Sequence, residues 1–484
     1  MCEVLPQLAL KPLPRLKQDT PTADSSGQGA VNRTPQGSRV LKFLLSLLGV
    51  LQPHRKLPVD ARVRVPARDS APSKPAPRQP ATSGPAPGQF GSTLLLREEM
   101  LDHRGRLAGH RVGAPTSGQG HAGLLQALMA SQVQRQAERR WVLIDLQGGW
   151  PHPWQDSDWR GLVQQHTVVQ LAAADAPHAP ALRQRGAGVA LRWTGATPEP
   201  SVLSPALTHI VLSLRQDPLQ LIEQRLQHLR RTQPHLQVLV EDVGTWAEQR
   251  LCVAQGAHLV MGPFLTTLDE HGAQEPVSPG RLVLMDMLQA VRQGADNAAL
   301  AELAKRDPGI AVQLLSMVNS PAFGLSQPLS SLDQAMTVLG RDALYRWLSV
   351  SLFAGGRERP HDLALLEMAL TRARFMEQLG RAHSSPGQPG QADELFLVGL
   401  LSFVDRLLGL PLNDLLQRMA VPQAVADVLL HSQGPHAPWM LLALAMERCD
   451  ADRLLRIAQA QGLPPGDFAR WRDEAVLWAA DAVH

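Results

Sequence analysis

Apolar and polar positions change period along the chain, and the changes divide it. From about Phe90 to Leu268, short apolar runs alternate with stretches at helical spacing. Leu94-Leu95-Leu96 opens this part and is followed by a charged turn at Asp102–Gly105. Trp141–Leu146, Thr167–Leu171, Gly188–Leu191, His209–Leu212 and Gln237–Glu241 read as strands. Between the last two, Leu219, Ile222, Leu226 and Leu229 share one helix face. Repeated strand–helix units predict an α/β fold with parallel strands, as a barrel or an open sheet. After Pro276–Gly280 the pattern turns to helices alone. Arg281–Arg292 places Leu284, Leu288 and Val291 on one face. Asp296 and Asp307 stand as N-caps of the next two helices, the second with Pro308 in its first turn and Pro321 at its end. Ser331 and Gln334 have the spacing of a capping box; Gly340 closes that helix, and another spans Asp342–Ala354.

The first 89 residues follow neither pattern. Residues 1–38 and 52–89 are dominated by Pro, Ser, Gly, Gln and Arg, too little apolar surface to offset chain entropy, and are expected to be disordered. Between them, residues 39–51 form a run that is apolar on nearly every side. It is shorter than the roughly 18–20 residues of a membrane span and lies too far from the start for a signal peptide. As a short helix it would dock on the protein's own body, on a partner or at a membrane surface. Phe43, Leu44, Leu47 and Leu48 are its candidate contact residues.

Composition adds an asymmetry. Residues 1–90 carry 13 Lys and Arg against 5 Asp and Glu, leaving 34 against 39 for the remainder. A basic arm is thus joined to a mildly acidic body. The three cysteines stand far apart without C-x-x-C or ligand-like spacing, which points to a reduced, cytoplasmic protein without a structural zinc. The basic arm lacks interleaved aromatic residues, so specific nucleic-acid binding is not expected.

Three segments carry a resemblance. Arg97–His110 (REEMLDHRGRLAGH), Val238–Thr245 (VLVEDVGT) and Gln255–Phe264 (QGAHLVMGPF) are similar, in order and spacing, to the opening, "AEGVET" and "GAD-x-x-QGYFF" segments of EAL domains. That resemblance implies a TIM-barrel-like fold for residues 90–275 and the chemistry of cyclic-di-GMP phosphodiesterases. Such chemistry uses carboxylates at strand ends to hold two divalent metals. In register, the signature Glu falls on Arg111 and the second-strand Glu on Gln170. The Asp pair falls on Arg192 and Trp193, and Lys-x-Asp on Val211 and Ser213. Glu241 remains, Gly244 stands at the second Glu of "AEGVE", and Met261 stands at the usual Gln. An arginine among metal ligands is expected to repel the metal. The segment is also shorter than a full EAL domain, so missing barrel elements are expected.

Residues 276–484 resemble an HDOD domain through KRDP at Lys305–Pro308, LLSMVNSPAFG at Leu314–Gly324, PLSSLDQAMTVLG at Pro328–Gly340 and LFLVGLL at Leu395–Leu401. HDOD modules resemble HD phosphohydrolases without the metal site. Where an HD enzyme supplies His and Asp, this chain has Ser402 and Phe403. The adjacent His361 and Asp362 are read as a chance pairing. Asn319, Phe323 and Trp347 read as a helix terminus and core aromatics, with a partner-facing pocket as the other reading. The expectation is therefore a degenerate EAL-like domain followed by an all-helical HDOD domain. No catalytic residue, metal or cofactor is assigned, and the expected function is a non-enzymatic regulator that contacts other signalling proteins. The alternative is a residual cyclic-di-GMP sensor or phosphodiesterase.

Overall fold

The computed structural model describes residues 94–483 apart from 115–120, 132, 147–155, 196–205, 270–276, 324, 326, 355–358 and 384–389. The arm 1–89, with Phe43, Leu44, Leu47 and Leu48, lies outside the described residues.

Among the described residues, eight strands close into a barrel. They are β1 (Leu96–Asp102), β2 (Leu107–Gly113), β3 (Trp141–Asp145), β4 (Thr167–Leu171), β5 (Gly188–Arg192), β6 (His209–Ser213), β7 (Gln237–Glu241) and β8 (Leu259–Met261). β1 runs antiparallel to both β2 and β8, and every other neighbouring pair is parallel. Two expectations are corrected here. The strand set is complete, because short strands suffice once neighbours are in register around a closed circle. The strands are also not all parallel, because β1 and β2 are joined by a tight hairpin at Asp102–Arg106, which reverses the chain. Inside, Met100, Leu143, Val168, Ala190, Val211, Leu239, Leu259 and Met261 fill the barrel. A Cβ on Gly109 would lie 1.9 Å from the carbonyl oxygen of Trp141, so β2 reaches β3 there only as glycine.

Helices α1 (His121–Ala130), α2 (Val133–Ala137), α3 (Asp156–Leu162), α4 (Ala179–Gln184), α5 (Leu219–Thr232) and α6 (Trp246–Gln255) connect and cover the parallel strands. The capping box that begins α6, Thr245 with Glu248, fixes its entry beside β7.

The remainder is helical: α7 (Pro279–Arg292), α8 (Asn297–Ala304), α9 (Pro308–Val318), α10 (Leu332–Leu339), α11 (Arg341–Ala354), α12 (Asp362–His383), α13 (Gly390–Leu401), α14 (Val404–Leu408), α15 (Leu412–Arg418), α16 (Gln423–His431), α17 (Ala437–Glu447), α18 (Ala451–Ala460) and α19 (Phe468–Val483). Asp296 caps α8 through Ala299 N, and Asp307 caps α9 through Gly309 N, each at 2.8 Å. Ser331 takes the extended N-cap backbone of α10 but makes no side-chain cap bond, so the expected capping box is not formed. α12 and α13 pack backbone to backbone, since a Cβ on Gly399 would come within 2.5 Å of Ala373 Cα. The apolar core runs without a break from the outer layer of the barrel into these helices.

Candidate functional site

Side chains alternate across a strand, so the residues two places beyond the barrel-filling layer also face inward, at the C-terminal mouth. They are Arg111, Asp145, Gln170, Arg192, Ser213 and Glu241, with Glu98 from the antiparallel β1. Arg111 donates to Glu241 at 2.6 Å and pairs with Glu98, and its guanidinium stands 3.7 Å from Asp145. Arg192 pairs with Glu241 at 2.8 Å and approaches Asp145 to 3.7 Å. Gln170 donates to Asp145 at 3.2 Å, and Ser213 donates to Asp242 at 2.6 Å. Burial lowers, and the Glu98, Glu241 and Asp145 charges raise, the Arg111 guanidinium, with a net upward shift. Burial pushes the Glu241 carboxyl upward against the pull of Arg192 and Arg111.

The expected repulsion is thus resolved locally. Arg111 repels a metal, but it attracts the carboxylates that a metal would otherwise bridge. The motif register located Arg111, Gln170, Arg192, Ser213 and Glu241. It missed Glu98, which lies inside the first segment but was given no role, and Asp145, which lies in none of the segments; both complete the charge balance.

The helical part repeats the device. Arg372 on α12 forks onto both Glu447 oxygens, at 2.6 and 2.7 Å, and donates to Ser402 at 2.7 Å. Its guanidinium stacks 4.1 Å from the Phe403 ring centroid. A guanidinium therefore fills the space beside the two positions that the HD resemblance assigns to metal ligands. Among the described residues, no group of three or more His, Cys, Asp or Glu is placed to hold a metal ion.

A third cluster joins the two parts. Because β1 and β2 form a hairpin, no crossover helix covers their outer face, and α12 and α19 cover it instead. Glu367 of α12 is buried against it, accepting from Arg140 at 2.6 Å, with Arg97 at 3.5 Å and His110 Nε2 at 3.3 Å. Burial alone would raise Glu367; the His110 hydrogen bond and the charges of His110, Arg140 and Arg97 outweigh it and hold the carboxyl below its usual range. Burial, reinforced by Arg97, brings His110 down to about 4, so its imidazole is neutral near pH 7. Glu99, on the same face of β1, is pushed up by burial to about 7. Arg472 of α19 donates to the Leu95 carbonyl. Arg97 and His110 stand at the two ends of the first motif segment, but nothing in the sequence marked them as partners of Glu367; the one signal was the charged alternation of Arg97 and Glu99 on β1.

His361 and Asp362 belong to the junction as well. His361 packs 4.5 Å from the Trp246 ring, and Asp362 is buried against Arg359 and Arg281 at 2.9 and 3.5 Å. Asn319 clamps Leu329 through its amide, donating at 2.7 Å and accepting at 2.6 Å, while Trp347 is buried core. Phe323 is partly buried against that core.

The helical part now matches a known family model. Residues 281–420 are an HDOD domain. Two proteins are similar to the chain in sequence. The protein YuxH of Bacillus subtilis is 26% identical over 212 residues, 43% of this chain and 51% of that protein. The cyclic di-GMP phosphodiesterase CdgJ of Vibrio cholerae is 26% identical over 210 residues, 43% of this chain and 48% of that protein. The chain thus spans about half the length of the curated relatives it matches. Among solved structures, the EAL domain of Mycobacterium smegmatis DcpA aligns at 15% identity and TM-score 0.29, covering 36% of this chain and 90% of that one. A standalone EAL protein of Vibrio cholerae in its c-di-GMP-bound form aligns at 11% and 0.28, with coverages of 36% and 90%. Among the described residues, no helix is long and apolar enough to cross a membrane.

Proposed function

We propose that the protein is a non-enzymatic regulator in cyclic-di-GMP-linked signalling that acts through contacts with other signalling proteins. The observation that carries this reading is the pairing of Arg111 and Arg192 with Glu241, Glu98 and Asp145 at the barrel mouth. Two-metal phosphodiester hydrolysis needs carboxylates free to bind cations that activate a water. Here the carboxylates already hold fixed cations. A guanidinium supplies charge but no coordination position, and its proton is not lost at accessible pH, so it can act neither as Lewis acid nor as base. This donor set does not fit a pair of divalent ions. The Arg372–Glu447–Ser402 arrangement supports the same conclusion for the HDOD part.

The test is incubation of the full chain with cyclic-di-GMP and Mg²⁺ or Mn²⁺, with nucleotide products separated chromatographically. No linear product above the protein-free blank is expected. Turnover that disappears in Glu241→Ala would overturn the proposal.

A further inference from the structure

A cavity of about 100 Å³ opens at the joint between barrel and HDOD part, outside the barrel and across β1 and β2 from the mouth cluster. Arg97 and Arg140 line its depth beside Glu367, and Arg135 and Arg139 stand at its rim with Glu138 and with Asp481 of α19, four guanidiniums against three carboxylates. Small-molecule sites occur preferentially at such interfaces between units. Four guanidiniums in one pocket are also a donor set suited to planar or tetrahedral oxyanions, which they grip two-pronged.

Two features separate this pocket from an ordinary ion-pair network. Glu367 is already served by Arg97 and His110, yet one terminal nitrogen of the buried Arg140, Nη2, has no hydrogen-bond partner among the described residues. An orphaned buried donor on a charged group is expensive, and an ion or ligand is one of the few ways to complete it. At the rim, Arg139 pairs with Asp481 at 3.0 Å, with both side chains more than half exposed (57% and 65%). Such a pair is easily exchanged for a stronger anionic partner.

We propose that this cavity binds the phosphate group of a small molecule, held by Arg135, Arg139 and Arg140 on the barrel side of the joint. The ligand would bind the folded chain and not the unfolded one, so its occupancy would stabilise the fold even as it displaces Asp481 from Arg139. Free phosphate and a nucleotide phosphate share this chemistry, and the probes distinguish them.

The experiment is calorimetry and thermal melting of the full chain at low ionic strength, where such contacts are least screened, with inorganic phosphate, pyrophosphate and GMP as separate probes. At least one probe is expected to bind saturably and raise the melting temperature. Binding to phosphate or pyrophosphate identifies the bare group as sufficient, and binding to GMP alone identifies a nucleotide. Arg139→Gln is expected to weaken binding about tenfold, the loss of one charge-assisted hydrogen bond. Asp481→Asn, which releases Arg139 from its competitor, is expected to tighten it. Both positions are exposed, so both variants should melt like wild type without ligand. The proposal is overturned if none of the three probes binds saturably, or if neither substitution moves the affinity.

Discussion

At the scale of single residues, the barrel mouth shows how a chain can keep a fold built around charge. Three carboxylates brought to one end of a barrel would repel one another, and two guanidiniums hold them together instead. Removing one partner of a buried pair leaves the other uncompensated, which is costlier than never having built the pair. Arg111→Ala leaves the buried Glu241 and Asp145 with Arg192 but without the nearer half of their charge balance, and is expected to destabilise the protein by about 2 kcal/mol. Urea titration followed by circular dichroism measures this, and a loss below about 0.5 kcal/mol, the scatter of ordinary surface substitutions, would show that the cluster contributes nothing. Much of this site was legible in the sequence, because the motif register fixes which residue ends each strand. Asp145 was not, because inside the run Trp141–Leu146 it reads as a lone polar residue of a strand. Glu98 was not, because its role depends on β1 running backwards.

At the scale of elements, the hairpin β1–β2 decides how the two halves meet. β2 (LAGHRVG) escaped a strand assignment because its glycines and its buried His110 and Arg111 break the apolar pattern, and β8 escaped because it has three residues. Their outward residues face helices, not water, and this leaves a titratable group in a costly place. Glu99 is pushed up from 4.5 to about 7, chiefly by burial. A carboxyl raised in the folded state binds its proton more tightly there than in the unfolded chain. It therefore lowers stability progressively as pH rises from about 4.5 to about 7, and by a constant amount above. Glu99→Gln removes that cost while keeping the shape. The variant should match wild type near pH 4.5 and gain on it up to pH 7, reaching an advantage of about 3 kcal/mol that then stays level. Chemical denaturation of both proteins across this range checks the claim; an advantage that does not change with pH would refute it. His110, lowered to about 4, loses stability in the opposite direction as pH falls below 6.5, and Asp473, raised to about 6 by burial, acts with Glu99. Both are present in each protein and cancel in the comparison.

At the scale of the whole molecule, the question is whether barrel and HDOD part behave as two bodies or one. Units within a chain usually move against each other unless their interface is large and apolar. Here the apolar core passes between them, and Glu367 is buried among Arg97, His110 and Arg140, ion-pairing with Arg140 from 227 residues away. That separation is why the joint was invisible in the sequence. Each half announces itself by local motifs, whereas the joint is made of single charges whose partners only the fold supplies. The same joint bears on the proposed function, since in the proposed adaptor role locked halves would present one fixed surface to a partner. Locked halves should also unfold together. Calorimetry of the full chain is expected to show one transition for the described body, with calorimetric and van't Hoff enthalpies in agreement. Glu367→Lys places a third cation beside Arg97 and Arg140 and costs the neutral His110 its acceptor, and so removes the lock without touching either core. It should either lower the single transition by several degrees or split it into two. Two resolved transitions already present in the wild-type protein would show that the halves are independent bodies and that the buried charges do not join them.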